Sequence, residues 1–170
     1  MNLVLVGFMG SGKTAVGRRL AKRLGYHFLD TDRYIEDQTG LTVVQIFEHQ
    51  GEAHFRELER RLAVNLYKVS NTVISTGGGM LFTPGNPESL KKAGPMVYLK
   101  AAEAAILERL GRNNNRPLAS GEGWEDNIRQ LLAQRSPLYE TADLIIPTED
   151  KSINQVAGEI IRHLGSLPNR

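Results

Sequence analysis

The chain has 170 residues, enough for one domain with a substantial core. Its formal net charge is only +2 and it has no long basic run, so nucleic-acid binding is not implied even with an isoelectric point near 9.0. It has no cysteine, which excludes disulfides and thiol chemistry, and His27, His49, His54 and His163 lack metal-ligand spacing. No apolar stretch approaches membrane-spanning length and the N-terminus leads at once into an apolar run, so a cytoplasmic protein without a signal peptide is expected.

Leu3-Val4-Leu5-Val6 reads as a first strand, followed by the glycine-rich turn Gly7 to Gly12. Val16, Leu20, Ala21 and Leu24 then share one face of a helix that Gly25 should cap in the left-handed conformation. His27-Phe28-Leu29 is a second short strand running into Asp30-Thr31-Asp32. A polar helix follows as far as Gly40. Thr42 is placed as the N-cap of a segment carrying Val43, Ile46 and Phe47. From Gly51 to Tyr67 the pattern is charged and helical, with Phe55, Leu58, Leu62 and Leu66 as its apolar stripe. Thr72-Val73-Ile74-Ser75 is a buried strand ending at Thr76-Gly77-Gly78-Gly79.

The alternation repeats after Pro95. Met96 to Leu99 is a strand and Ala101 to Leu110 a helix. Residues 111 to 123 hold one large apolar residue, Leu118, and read as a loop. A helix from Trp124 to Arg135 is broken by Pro137, and Leu144 to Ile146 is the last strand, stopped by Pro147. Ile153, Val156, Ala157, Ile160, Ile161 and Leu164 form a final amphipathic helix ended by Gly165. This βα alternation predicts one α/β domain over residues 1–170, with about five parallel strands covered by helices on both faces.

Gly7-Phe8-Met9-Gly10-Ser11-Gly12-Lys13-Thr14 is a complete phosphate-binding loop in the required strand–turn–helix context. Its glycines let backbone N–H groups turn toward an anion, and the helix N-terminus adds partial positive charge. Lys13 supplies a full charge toward the outer phosphates and Thr14 a hydroxyl for magnesium. Ligands of open α/β sheets bind at the carboxyl ends of the strands, where Asp30, Asp32 and Gly77 to Gly79 also fall. On an extended segment Asp30 and Asp32 would point the same way, one toward a magnesium-bound water and the other toward a substrate hydroxyl; capping of the next helix competes with either role. Three successive glycines point to a backbone that must approach a ligand closely, or to several positive φ values. Arg56 lies between Glu52 and Glu59 at helical spacing, so an ion-pair ladder accounts for it on spacing alone. Arg135 in a last helical turn complements the helix dipole. Arg116 is either a solvated loop arginine or the charge-neutralising arginine of a closing lid.

Together with Ile46-Phe47, Gly51-Glu52, Phe55-Arg56 with Glu59, Arg116-Pro117-Leu118 and Arg135 with Pro137-Leu138-Tyr139, these segments occur in the order and spacing of shikimate kinases, which the chain resembles over almost its whole length. The resemblance implies a three-layer P-loop kinase fold with a five-stranded parallel sheet, a substrate-binding region at 31–60 and a lid at 111–123. It implies transfer of the ATP γ-phosphoryl group to the 3-hydroxyl of shikimate, with Mg2+; a monomer with no nucleic-acid or membrane partner is expected besides. It assigns Lys13, Asp32 and Arg116 to catalysis, and Gly10, Ser11, Gly12, Lys13, Thr14, Ala15, Arg109 and Arg116 to ATP. Asp32, Arg56, Gly78 and Arg135 would bind shikimate, and Thr14 and, through water, Asp30 would hold the metal. Another small-molecule kinase such as a gluconate kinase, or a nucleotide-dependent switch, are the competing readings.

Overall fold

The computed structural model describes residues 1–112 and 121–168. Five strands, β1 (Leu3–Val6), β2 (His27–Asp30), β3 (Thr72–Ser75), β4 (Met96–Lys100) and β5 (Leu144–Pro147), form one all-parallel sheet in the order β2-β3-β1-β4-β5. The central strand β1 shows how the sequence builds the layers. Its side chains alternate with period two and all four are fully buried, as a strand covered on both faces requires. Leu3 and Leu5 pack with Val16, Leu20, Val97, Leu99 and Ile160 beneath α1 (Lys13–Leu24) and α8 (Ile153–His163). Val4 and Val6 pack with Ile74, Leu90, Met96, Tyr98 and Tyr139 on the other side. That second layer is built from the end of α4 (Glu52–Ala63), α5 (Asn86–Ala93), α6 (Glu103–Gly111) and α7 (Trp124–Tyr139).

A smaller cluster of Ile35, Ile46 and Phe55 joins α2 (Thr31–Thr39), α3 (Val43–Gln50) and α4, with the Phe47 ring tilted against Phe55 at 5.1 Å. Thr42 caps α3 as expected, in a reciprocal box with Gln45; Ser152 and Gln155 do the same for α8. Gly25 closes α1 with φ +67°. Gly17 lets α1 lie close on the sheet: a Cβ there would sit 2.6 Å from the Phe28 ring and 3.2 Å from Leu5.

Several boundaries differ from the sequence reading. Asp30 ends β2 and Thr31 already begins α2, so Asp30 and Asp32 do not share an extended segment. The charged helix stops at Ala63, and Leu66–Lys68 is a separate 3-10 turn. Residues 80–93, to which the pattern assigned nothing, form a 3-10 turn at Met80–Phe82 and helix α5, whose Pro87 near the start and Gly94 after the end were the available signals. Helix α7 runs through Pro137 to Tyr139. The proline removes one amide bond near the helix end, while the amide of Glu140 still reaches Ser136 O at 3.0 Å and burial of Tyr139 holds the last turn. Gly165 does not end α8, which stops at His163; it sits within the following 3-10 turn.

Candidate active site

The phosphate-binding loop leaves β1 with Gly7, Gly10 and Gly12 at φ +149°, +76° and +92°, where L side chains are strained. The Ser11 amide turns back to donate to Phe8 O at 3.2 Å, and Gly12 enters α1 in the left-handed conformation with no side-chain cap on the first turn of that helix. The Lys13 ammonium is drawn across the loop and donates to Gly7 O at 2.8 Å and Phe8 O at 2.9 Å. Arg109, on α6, closes the far side by donating from Nη1 to Gly10 O at 2.9 Å.

Asp30 fills the capping role weighed for it and also meets Thr14. Oδ1 caps α2, accepting from the amides of Asp32 at 3.2 Å and Arg33 at 3.3 Å, and Oδ2 accepts from Thr14 Oγ1 at 2.7 Å. The metal-candidate hydroxyl and carboxylate therefore stand side by side. A cleft of 720 Å3 beside β2 meets this region at Asp30 and Arg33; other walls, such as Arg18, Tyr34 and Lys68, come from α1, α2 and the 3-10 turn Leu66–Lys68.

The second group gathers around the triple glycine. None of Gly77, Gly78 and Gly79 lies in the left-handed region, so that explanation for the run fails, and the close approach seen is by other segments of the protein rather than by a ligand. A Cβ on Gly77 would lie 2.5 Å from Asp32 Oδ1 and 3.0 Å from Glu59 Oε1; on Gly78, 3.0 Å from the Met9 amide nitrogen; on Gly79, 2.5 Å from Arg56 Nη1. Thr31 Oγ1, fully buried, accepts from the Gly77 amide at 2.8 Å and ties the start of α2 to this turn. Asp32, Arg56 and Gly78 thus share one wall, and Gly78 abuts the phosphate loop.

Arg56 does form the ladder its spacing suggested: Nη1 meets Glu59 Oε2 at 2.7 Å and Nη2 meets Glu52 Oε1 at 3.0 Å. The ladder is not merely a surface feature, because the Glu59 side chain has no exposure and the Arg56 side chain only 21 %. Burial pushes the Glu59 carboxyl up to about 7; Arg56 opposes this most, and nearby Asp32 adds to the rise. Burial likewise disfavours the Arg56 charge, but its two carboxylate partners more than offset that and its pKa lies above the ordinary value. The partners differ because Glu59 is wholly covered while Arg56 keeps some water. Arg135 reaches the same cluster from α7. Its guanidinium lies over Phe82 at 5.0 Å and over Phe8 of the phosphate loop at 5.9 Å, close enough to Glu59 to lower that carboxyl's pKa. The structure therefore brings Lys13, Thr14, Asp30 and Arg109 around the loop, with Asp32, Arg56, Gly78 and Arg135 beside them. Arg116 lies outside the described residues.

Glu59, Thr31, Tyr139 and Phe82 are the participants that sequence reading missed. Tyr139 is buried and donates its hydroxyl to Gly78 O at 2.5 Å, with burial raising its pKa. Glu59 and Tyr139 were in view, but nothing in their spacing tells a buried carboxylate or phenol from an exposed one.

A profile of the shikimate kinase family matches residues 9–165. A shikimate kinase of Caldanaerobacter subterraneus is 43% identical over 169 residues, covering 99% of both chains. The chain belongs to the shikimate kinase family. Among solved structures, the shikimate kinase of Acinetobacter baumannii in complex with shikimate superposes with a TM-score of 0.92 at 42% identity, covering 97% of this chain and 93% of that one. The Aquifex aeolicus shikimate kinase gives 0.82 at 36% identity, covering 98% and 97%. A gluconokinase of Sinorhizobium meliloti, at 18% identity and a TM-score of 0.57, shares the fold alone. The expected α/β P-loop kinase architecture, with its five-stranded parallel sheet, is the one found.

Proposed function

We propose that the chain is a shikimate kinase, transferring the γ-phosphoryl group of ATP to the 3-hydroxyl of shikimate to give shikimate 3-phosphate and ADP. The observation that carries this reading is the joining of one acid and two arginines, Asp32, Arg56 and Arg135, around the triple glycine beside a phosphate loop, in a chain that matches shikimate kinases along its whole length. Arginine pairs bidentately with a carboxylate and aspartate accepts from hydroxyls, which suits a small acid bearing neighbouring hydroxyl groups. A gluconate kinase would need similar contacts, but its likeness to this chain extends only to the fold.

In this reading Arg56 and Arg135 grip the substrate carboxylate and the Gly78 backbone lies against the ring. Asp32 orients the 3-hydroxyl. The oxygen attacks the γ-phosphorus, the bond from that phosphorus to the bridging oxygen breaks, ADP leaves, and the hydroxyl proton departs through Asp32 to solvent. Because the transition state is loose, positioning and charge neutralisation do most of the work. The loop amides from Gly10 to Ala15 hold the phosphates, Lys13 moves from its carbonyl contacts to the outer phosphates, Arg116 approaches the transferring group, and Arg109 lies toward the adenine. Thr14 Oγ1 and Asp30 Oδ2, two hard oxygen donors 2.7 Å apart at the loop mouth, fit Mg2+, Asp30 acting through water. When bound, the ion neutralises phosphate charge. We also propose a cytoplasmic monomer; among the described residues no helix is long and apolar enough to cross a membrane. Steady-state turnover with shikimate, gluconate and AMP in parallel tests the reading: shikimate is the expected acceptor, and turnover with gluconate or AMP alone would reject it.

A further inference from the structure

The two arginines assigned to the substrate carboxylate are prepared by opposite means. Arg56 is fixed by Glu52 and Glu59. Arg135 has no carboxylate within 4 Å among the described residues; its guanidinium lies over the faces of Phe82 at 5.0 Å and Phe8 at 5.9 Å, and its side chain also hydrogen-bonds with Tyr139. Phe8 is wholly buried in the phosphate loop. Phe82 stands at the end of the 3-10 turn Met80–Phe82 that follows the triple glycine. Its ring meets Tyr139 edge-on at 5.4 Å and 87°; Tyr139 is stacked on Tyr98 at 5.2 Å and pinned to Gly78 O by its hydroxyl. Phe82 therefore cannot swing away without breaking an edge-to-face pair whose partner is itself locked.

We propose that Phe82 is a positioning residue for shikimate, acting through Arg135. The proposal rests on Arg135 being a carboxylate ligand. A free arginine side chain loses rotamer entropy when it is immobilised. A ring face that already holds the guanidinium removes much of that loss from the binding step. A ring also leaves the guanidinium without a direct ion pair, Glu59 acting on it only from beyond 4 Å, whereas a carboxylate in contact would occupy it. Arg56 is thus held by charge and Arg135 by shape. The second arrangement keeps the guanidinium out of a direct ion pair, open to the substrate, while fixing its direction.

The test is a double-mutant cycle on kcat/KM for shikimate, using Phe82→Leu, Arg135→Lys and the pair, with KM for ATP and the thermal midpoint measured on each. Phe82→Leu should raise KM for shikimate about three- to tenfold, the range of one cation–π contact, with kcat and KM for ATP within about twofold. In the Arg135→Lys background, which has lost the planar group, the same change should have little further effect. Phe82→Tyr, which keeps the ring face, should restore wild-type values. Unchanged KM for shikimate in Phe82→Leu, or equal effects in both backgrounds, would overturn the inference. If Phe82→Leu fails to fold, Phe82→Met carries the same comparison with similar volume. Absence of shikimate turnover in the wild-type protein would instead reject the proposed function.

Discussion

At the residue scale, the buried Glu59 sets the electrostatics of the substrate side. Arg56→Ala removes the group Glu59 was buried to hold. Charge-assisted bidentate bonds to a carboxylate contribute about 1.5 to 3 kcal/mol, so shikimate affinity should fall about ten- to a hundredfold in calorimetry while ATP affinity stays within about twofold. Equal shikimate affinity would leave Arg56 with only its ladder role. Glu59 also imposes a pH dependence on stability. Its carboxyl is raised from the ordinary 4.5 to about 7 by burial, so between those values the unfolded chain has released a proton that the folded chain still holds. Stability therefore falls as pH rises through that window, by up to about 3 kcal/mol, and is flat on either side as far as Glu59 is concerned. Denaturant titrations of wild type and Glu59→Gln from pH 4 to 8 should show this slope in the former and its loss in the latter. Parallel curves would contradict the assignment.

At the element scale, α1 carries the phosphate loop and its seat on the sheet depends on Gly17. Alanine would gain about 1 kcal/mol in helix propensity, but its Cβ would meet the Phe28 ring at 2.6 Å. Overpacking of this kind costs about 1 to 3 kcal/mol, so the clash wins and Gly17→Ala should lower the thermal midpoint by a few degrees. A higher midpoint would mean that Phe28, on an edge strand, yields freely. Much at this scale was legible in sequence. The phosphate loop, the caps at Gly25 and Thr42 and the stripe of α8 are local demands, met by residue type at fixed spacing. The departures came where tertiary packing overrides local rules: α7 passes Pro137 because Tyr139 is anchored beyond it, and Asp32 turns into α2 because Asp30 caps the helix immediately. The glycine run was legible only as a ligand approach or a set of positive φ values; what crowds it is Asp32, Met9 and Arg56, from three separate segments.

At the scale of the whole molecule, parallel order β2-β3-β1-β4-β5 delivers the loop after β1, Asp30 at the end of β2 and the glycines after β3 to one edge of the sheet. Helices α4, α6 and α7 then add Arg56, Arg109 and Arg135 from outside it. Sequence order alone could not show that these arginines converge, since each has an ordinary local explanation in its own helix. Arg116, outside the described residues, is the lid arginine of the proposed mechanism. Arg116→Ala should lower kcat about 10³-fold or more while leaving shikimate affinity within a few-fold, because a lid arginine acts on the transferring group. Unchanged kcat would remove it from the mechanism. The most direct test of the shared crevice is a crystal structure with shikimate and a non-hydrolysable ATP analogue. The expected result is the carboxylate held by both Arg56 and Arg135, with the 3-hydroxyl between Asp32 and the γ-phosphate. Shikimate bound elsewhere, or touching neither arginine, would contradict the account.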